Sequence, residues 1–125
     1  MKCLSLKQPF AELLVLGKKT IELRPWNTRF RGEFLVHASK RPDEAACSTM
    51  GFDAAAITRG AVVGKAFLYD VKKYKDCAEF LADRDKHLAT EAYIGSRYGF
   101  LIRDGVKFDN PIPARGQLNF FNLDI

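Results

Sequence analysis

Four residues in a six-residue stretch, Lys19, Thr20, Glu22 and Arg24, bring an ammonium, a hydroxyl, a carboxylate and a guanidinium together. The run Thr20-Ile21-Glu22-Leu23-Arg24 alternates polar and apolar side chains, which is the pattern of a strand. Residues at i and i+2 share a strand face, so Glu22 and Arg24 are near neighbours. Thr20 joins them on a face expected to point outward, with Lys19 at its entrance, while Ile21 and Leu23 turn the other way. A carboxylate between two cations can orient both, accept a proton, or accept the exocyclic amine of a base. Arginine offers a planar fork suited to phosphate, and lysine a mobile point charge. Just beyond, Trp26, Arg29, Phe30 and Arg31 interleave rings and cations, a mixture suited to single-stranded nucleic acid. With no ligand, the same face would be solvated, its ion pairs contributing at most about 1 kcal/mol each. Trp26 would then cap the core.

Net charge adds to this picture. The 125 residues carry +5, and residues 1–41 hold nine Lys/Arg against three acids. The remaining 84 residues hold 11 Lys/Arg and 12 Asp/Glu, so the whole excess lies in the first third. Such a concentration suits a polyanion, against the plainer role of keeping the surface soluble.

Other reactive residues are less organised. Cys3, Cys47 and Cys77 are odd in number and far apart, with only His37 and His87 to assist them. That pattern points to small apolar fillers in a reducing compartment rather than to a zinc site or a disulfide framework. Cys3 is expected to be buried. His37 ends a strand and reads as structural, with acid–base work as its alternative role. Tyr98 and Arg115 are expected to approach the cleft from the C-terminal half. Lys72, Lys73 and Lys75 are flanked by Asp70 and Asp76 and read as a solvated edge.

The elements that must position these groups follow from periodicity. Lys2–Lys7 reads as a strand and Gln8–Gly17 as a helix, with proline in its first turn and glycine at its end. Strands are expected at 19–24 and 33–38, and a helix from Pro42 to about Gly51, with 54–57 extending it or forming a short second piece. A long strand is expected over 60–71. One amphipathic helix is expected over 77–88, with Phe80, Leu81 and Leu88 inward. Tyr98–Arg103 and Val106–Phe108 read as a hairpin turning at Asp104-Gly105. An irregular connection at Pro111 and Pro113 then leads to a closing strand over 117–123. Strands outnumber helices without regular alternation, which argues against a doubly wound sheet. The expected fold is α+β, one domain over 1–125: a small mixed or antiparallel barrel flanked by about three helices. No run of about 18 apolar residues and no secretory leader is visible, so a cytoplasmic, monomeric protein is expected.

The segment Gly17-Lys18-Lys19-Thr20-Ile21-Glu22-Leu23-Arg24 matches the G-x-K-x-x-E-x-R signature of the ASCH family. The preceding Leu4-Ser5-Leu6-Lys7-Gln8-Pro9-Phe10-Ala11 resembles that family's L-S-x-x-Q-P-W-A opening, with Phe10 where tryptophan is usual. Trp26, Arg31-Gly32 and the closing Gly116–Leu123 also fit its layout. The resemblance implies a PUA-like barrel with a cleft lined by Lys19, Glu22 and Arg24, with Ser5 and Gln8 as neighbours. It implies RNA or single-stranded DNA, or a nucleoside or nucleotide, as ligand, and no metal or cofactor. Some relatives resemble ribonucleases, and a small bacterial branch resembles amidohydrolases acting on acetylated cytidine. That branch uses a lysine, a threonine three residues later and a distant glutamate. Here the threonine position is Glu22, and a carboxylate does not replace a hydroxyl nucleophile in acyl transfer.

Three functions are therefore weighed. The first is binding of nucleic acid or a nucleotide through Ser5, Gln8, Lys19, Glu22, Arg24, Trp26, Arg29 and Arg31. The second is an enzyme on RNA or modified nucleosides, with Lys19 as base or charge stabiliser and Glu22 as acid–base group. The third is a protein-interaction module.

Overall fold

The alternating N-terminal segment forms β1 (Lys2–Leu6), burying Cys3, Leu4 and Leu6. Helix α1 (Phe10–Val15) follows and ends at Gly17, whose φ of +78° is the left-handed conformation glycine tolerates. Strands β2 (Ile21–Arg24) and β3 (Gly32–Ala38) precede α2 (Glu44–Thr49), which Asp43 caps by accepting the Ala46 N–H. Then come β4 (Ala61–Lys73), α3 (Cys77–Ala82), α4 (Arg84–His87), β5 (Tyr98–Pro113) and β6 (Phe120–Asn122). This computed structural model describes residues 1–89, 93 and 95–125.

The strands hydrogen-bond in the order β2-β5-β4-β3-β1-β6. Strands β1 and β3 run parallel and the other pairs antiparallel, giving a mixed sheet. Helix α1 packs across β1, β3, β4 and β5. Its Phe10, Leu14 and Val15 join Leu4, Phe34, Leu68 and Phe100 in the main core. Register shifts along β3, β4 and β5 bend the sheet into a curled half-barrel. The edge strands β2 and β6 are not hydrogen-bonded to each other; aromatic rings bridge the gap. Trp26, just past β2, meets Phe120 of β6 edge-on at 6.1 Å, and Phe100 of β5 stacks on Phe120 at the same distance. This closure through side chains leaves a seam, and the seam positions the site.

The α+β class expected from the sequence is the one observed, with four short helices among the described residues where about three were expected. Asp104-Gly105 does not turn a hairpin. Residues 98–113 form one strand that pairs with β4 on both sides of the dipeptide, through Phe67 with Arg103 and Lys65 with Val106. The dipeptide instead bends β5 closely over α1. Asp104 has φ +55°, and a Cβ on Gly105 would lie 2.5 Å from the Leu14 carbonyl oxygen. Pro111 and Pro113 belong to the same strand, so two final strands replace the three expected, and the last spans only Phe120–Asn122. The expected helix over 77–88 breaks at Asp83, whose carboxylate accepts from Lys72 Nζ and from Tyr74 Oη, each at 2.7 Å. Phe80 is buried there, whereas Leu81 is exposed. Residues 54–57 form a turn on the Asp53 carbonyl rather than a helix.

Candidate functional site

Gly17 reverses the chain so that Lys18 points to solvent and Lys19 inward, its N–H bonded to the Leu13 carbonyl at 3.0 Å. Lys19 is 2% exposed. Its ammonium donates to the carbonyls of Ile21 and His87 at 2.7 Å each and lies 3.3 Å from Glu22 Oε1. Three acceptors match its three N–H donors. Burial pushes the lysine below its ordinary pKa of 10.5, and Glu22 offsets part of that shift.

Strand alternation then divides β2. Ile21 and Leu23 pack on Tyr74, Phe80 and Ala89 beneath α3 and α4. Glu22 and Arg24 share the opposite face, where Arg24 Nε donates to Glu22 Oε2 at 2.9 Å and Nη2 donates to the Ser5 carbonyl at 2.8 Å. No partner meets Arg24 Nη1 among the described residues. This face was expected to point outward into solvent; instead Glu22 is 8% exposed. Both faces of β2 are covered, one by helices and one by the walls of a hollow. Thr20 precedes the strand and is exposed.

The hollow occupies the seam and encloses about 430 Å³, within the range of small-molecule sites. Glu22 and Arg24 contribute to its lining, with Lys19 behind them. Phe10, Trp26 and Tyr93 supply rings, and Ser5, Lys7, Ser39, Gln117 and Asn119 supply polar groups. The Arg24 guanidinium lies 5.9 Å from the Trp26 ring, and the Lys19 ammonium 5.2 Å from Phe10. Tyr93 donates its hydroxyl to Asp43 at 2.6 Å, which fixes the ring. Burial, reinforced by that carboxylate, pushes the Tyr93 hydroxyl pKa up. His87, whose carbonyl holds Lys19, is itself fixed: Nε2 donates to the Phe80 carbonyl at 2.7 Å and Nδ1 accepts the Ala89 N–H at 3.0 Å. Burial holds its ring below the usual imidazole pKa.

Of the eight residues expected to bind, Ser5, Lys19, Glu22, Arg24 and Trp26 line the hollow. Gln8 is fully buried and structural, donating to the Thr58 carbonyl and accepting the Glu12 N–H. Arg29 and Arg31 are exposed outside the lining, and Arg31 turns to backbone carbonyls and to Asp70. Arg115 and His37 lie on a second, adjoining hollow, and Tyr98 packs against the core instead of entering the first. Lys72 is paired with Asp83. Cys3 is buried as expected. Phe10, Ser39, Tyr93 and Asn119 were not foreseen. Phe10 carried a signal in the opening motif; Ser39 and Asn119 come from loops, and they and Tyr93 reach the seam only through the fold. Among the described residues, no group of His, Cys, Asp and Glu is gathered as a metal would require, and no helix is long and apolar enough to cross a membrane.

A family model described as ASCH domain matches residues 4–107. Several solved structures are similar in fold, three of which follow. An ASCH protein from Zymomonas mobilis aligns at TM-score 0.66 and 19% identity, covering 90% of this chain and 72% of the other. A tyrosine-to-phenylalanine variant of that protein aligns at 0.64 and 21%, covering 90% and 74%. A serine-to-alanine variant aligns at 0.65 and 21%, covering 90% and 72%. No curated protein matches.

Proposed function

Because the chain belongs to the ASCH domain family, we propose that its seam hollow receives a nucleobase of RNA or single-stranded DNA, with the backbone tracked by cations at the rim. One observation carries this reading: a carboxylate held between Lys19 and Arg24 at the floor of a ring-lined hollow. Lys19 spends its donors on carbonyls and on Glu22, so it serves to fix the carboxylate. Glu22 keeps lone pairs for an exocyclic amine such as that of cytosine. Trp26 and Tyr93 offer faces for stacking, worth about 1–3 kcal/mol per base. The free edge of Arg24 and the exposed Lys7 supply phosphate partners.

Trp26 is the only tryptophan, so its fluorescence reports on the hollow directly. Titration with short single-stranded oligonucleotides at low salt is expected to quench it saturably, and Glu22→Gln is expected to weaken the binding. Undetectable binding to single strands under those conditions ends this reading.

A second reading, an enzyme on RNA or acetylated cytidine, draws on the lowered pKa of Lys19 beside Glu22. It expects turnover that disappears in Lys19→Ala. Turnover that persists in that variant refutes it.

A further inference from the structure

We propose that Ser5 is a catalytic nucleophile, activated by His37, that accepts acyl groups from anionic esters or amides entering the second hollow. Ser5 and His37 are directly paired neighbours on the parallel strands β1 and β3. On the other side of β3, its pairing with β4 shifts register between Val36 and His37. Ser5 Oγ lies 2.8 Å from His37 Nδ1, and His37 Nε2 lies 2.7 Å from the Ala114 carbonyl oxygen. A carbonyl can only accept, so in the neutral ring Nε2 carries the proton. Nδ1 is then a bare lone pair, and the Ser5 hydroxyl must donate to it. A nucleophile within reach of a base that a third group orients is the arrangement of nucleophilic catalysis.

The surroundings suit that role. His37 is 1% exposed, which shields the base, while Ser5 is only partly buried and borders both hollows. The second hollow encloses about 700 Å³, is rimmed by Lys40 and Arg115, and has no acidic residue in its lining among the described residues. An acyl donor bearing negative charge is therefore favoured there. Gly116 closes over the pair: a Cβ at that position would lie 2.9 Å from His37 Cε1 and 3.0 Å from Ser5 Oγ.

In the first step Ser5 Oγ bonds to the acyl carbon while its proton passes to His37 Nδ1. The bond to the leaving oxygen or nitrogen breaks, and that atom takes the proton from Nδ1. Water then attacks the acyl-serine, again giving a proton to Nδ1. The acid departs, and Ser5 Oγ recovers the proton. Throughout, Nε2–H remains on the Ala114 carbonyl, whose dipole favours the transient imidazolium. None of this requires Glu22 or a nucleobase, so it stands apart from the binding reading.

A fluorophosphonate probe on the full chain tests it, read by intact mass and peptide mapping. Attack by Ser5 displaces fluoride and leaves one label on that residue, absent in Ser5→Ala. His37→Gln is expected to label about a hundredfold more slowly, the loss typical of a removed general base. In the unmutated protein the rate is expected to fall on acidification, because protonation removes the base; the charged residues sharing the hollow with His37 are Lys40 and Arg115. No label on Ser5, an equal rate in His37→Gln, or a rate independent of pH overturns the proposal. The pH profile needs no variant, so it decides the matter even where His37→Gln does not fold.

Discussion

Lys19 and Glu22 depend on each other more than either depends on Arg24. The ammonium is almost sealed from water, so removing its carboxylate leaves a buried charge with only carbonyls around it. Glu22→Ala is expected to lower stability by about 3–5 kcal/mol, as for other broken buried pairs. Arg24→Ala leaves the Lys19–Glu22 contact in place and is expected to cost about 1–2 kcal/mol. Urea denaturation of the two variants gives the comparison, and equal losses would contradict it. His87 gives the same region a pH dependence. Its folded pKa lies below the ordinary 6.5 because burial disfavours the charged ring. The unfolded chain therefore takes up this proton first as pH falls. The contribution to stability is complete above about pH 6.5 and is lost as pH drops from there through the folded value. Urea midpoints measured downward from about pH 7 are expected to fall in the native chain, and to fall less in His87→Gln. The spacing of Lys19, Glu22 and Arg24 was legible in the sequence, but their burial was not. Alternation tells which residues share a face, not whether that face meets water or the wall of a hollow built by distant loops.

Elements were legible where their pattern was local and illegible where a tertiary contact overrode it. β1, α1, β2, β3 and α2 appear close to where periodicity puts them, because caps and turns such as Asp43 and Gly17 act within a few residues. The break at Asp83 was hidden because its cause lies on and just beyond β4: Lys72 and Tyr74 draw the carboxylate out of any continuous helix. Asp104-Gly105 misled for a similar reason, since the dipeptide that turns a hairpin also lets a strand bend over a helix. Where β4 crosses α1 the backbone allows no side chain at all. A Cβ on Gly64 would lie 2.1 Å from the Val106 carbonyl oxygen and 2.7 Å from Val15 Cγ1. Gly64→Ala is therefore expected to destabilise by at least about 1–3 kcal/mol through forced backbone shifts, seen as a lower urea midpoint. A midpoint unchanged from the native chain would show that β4 and β5 separate more easily than this packing implies.

The half-barrel leaves one seam open, and the charge of the molecule bears on what can enter it. Positive charge concentrated in the first 41 residues is delivered to two places. Lys18, Arg29 and Arg31 are exposed away from the hollow's lining, while Lys7 and Arg24 line it and Lys40 borders the adjoining one. If about three phosphates are neutralised by Lys7, Lys40 and the free edge of Arg24, the logarithm of affinity for a single strand is expected to fall with the logarithm of salt at a slope of about −2. Lys7→Ala is expected to reduce that slope by about 0.7, the value of one released counterion. Glu22→Gln removes the acceptor proposed for a base and touches no proposed phosphate contact, so it is expected to weaken binding at every salt concentration while leaving the slope unchanged. Trp26 titrations at several salt concentrations separate the two effects. A slope that Lys7→Ala does not alter would mean that the strand, if bound, takes another route across the surface.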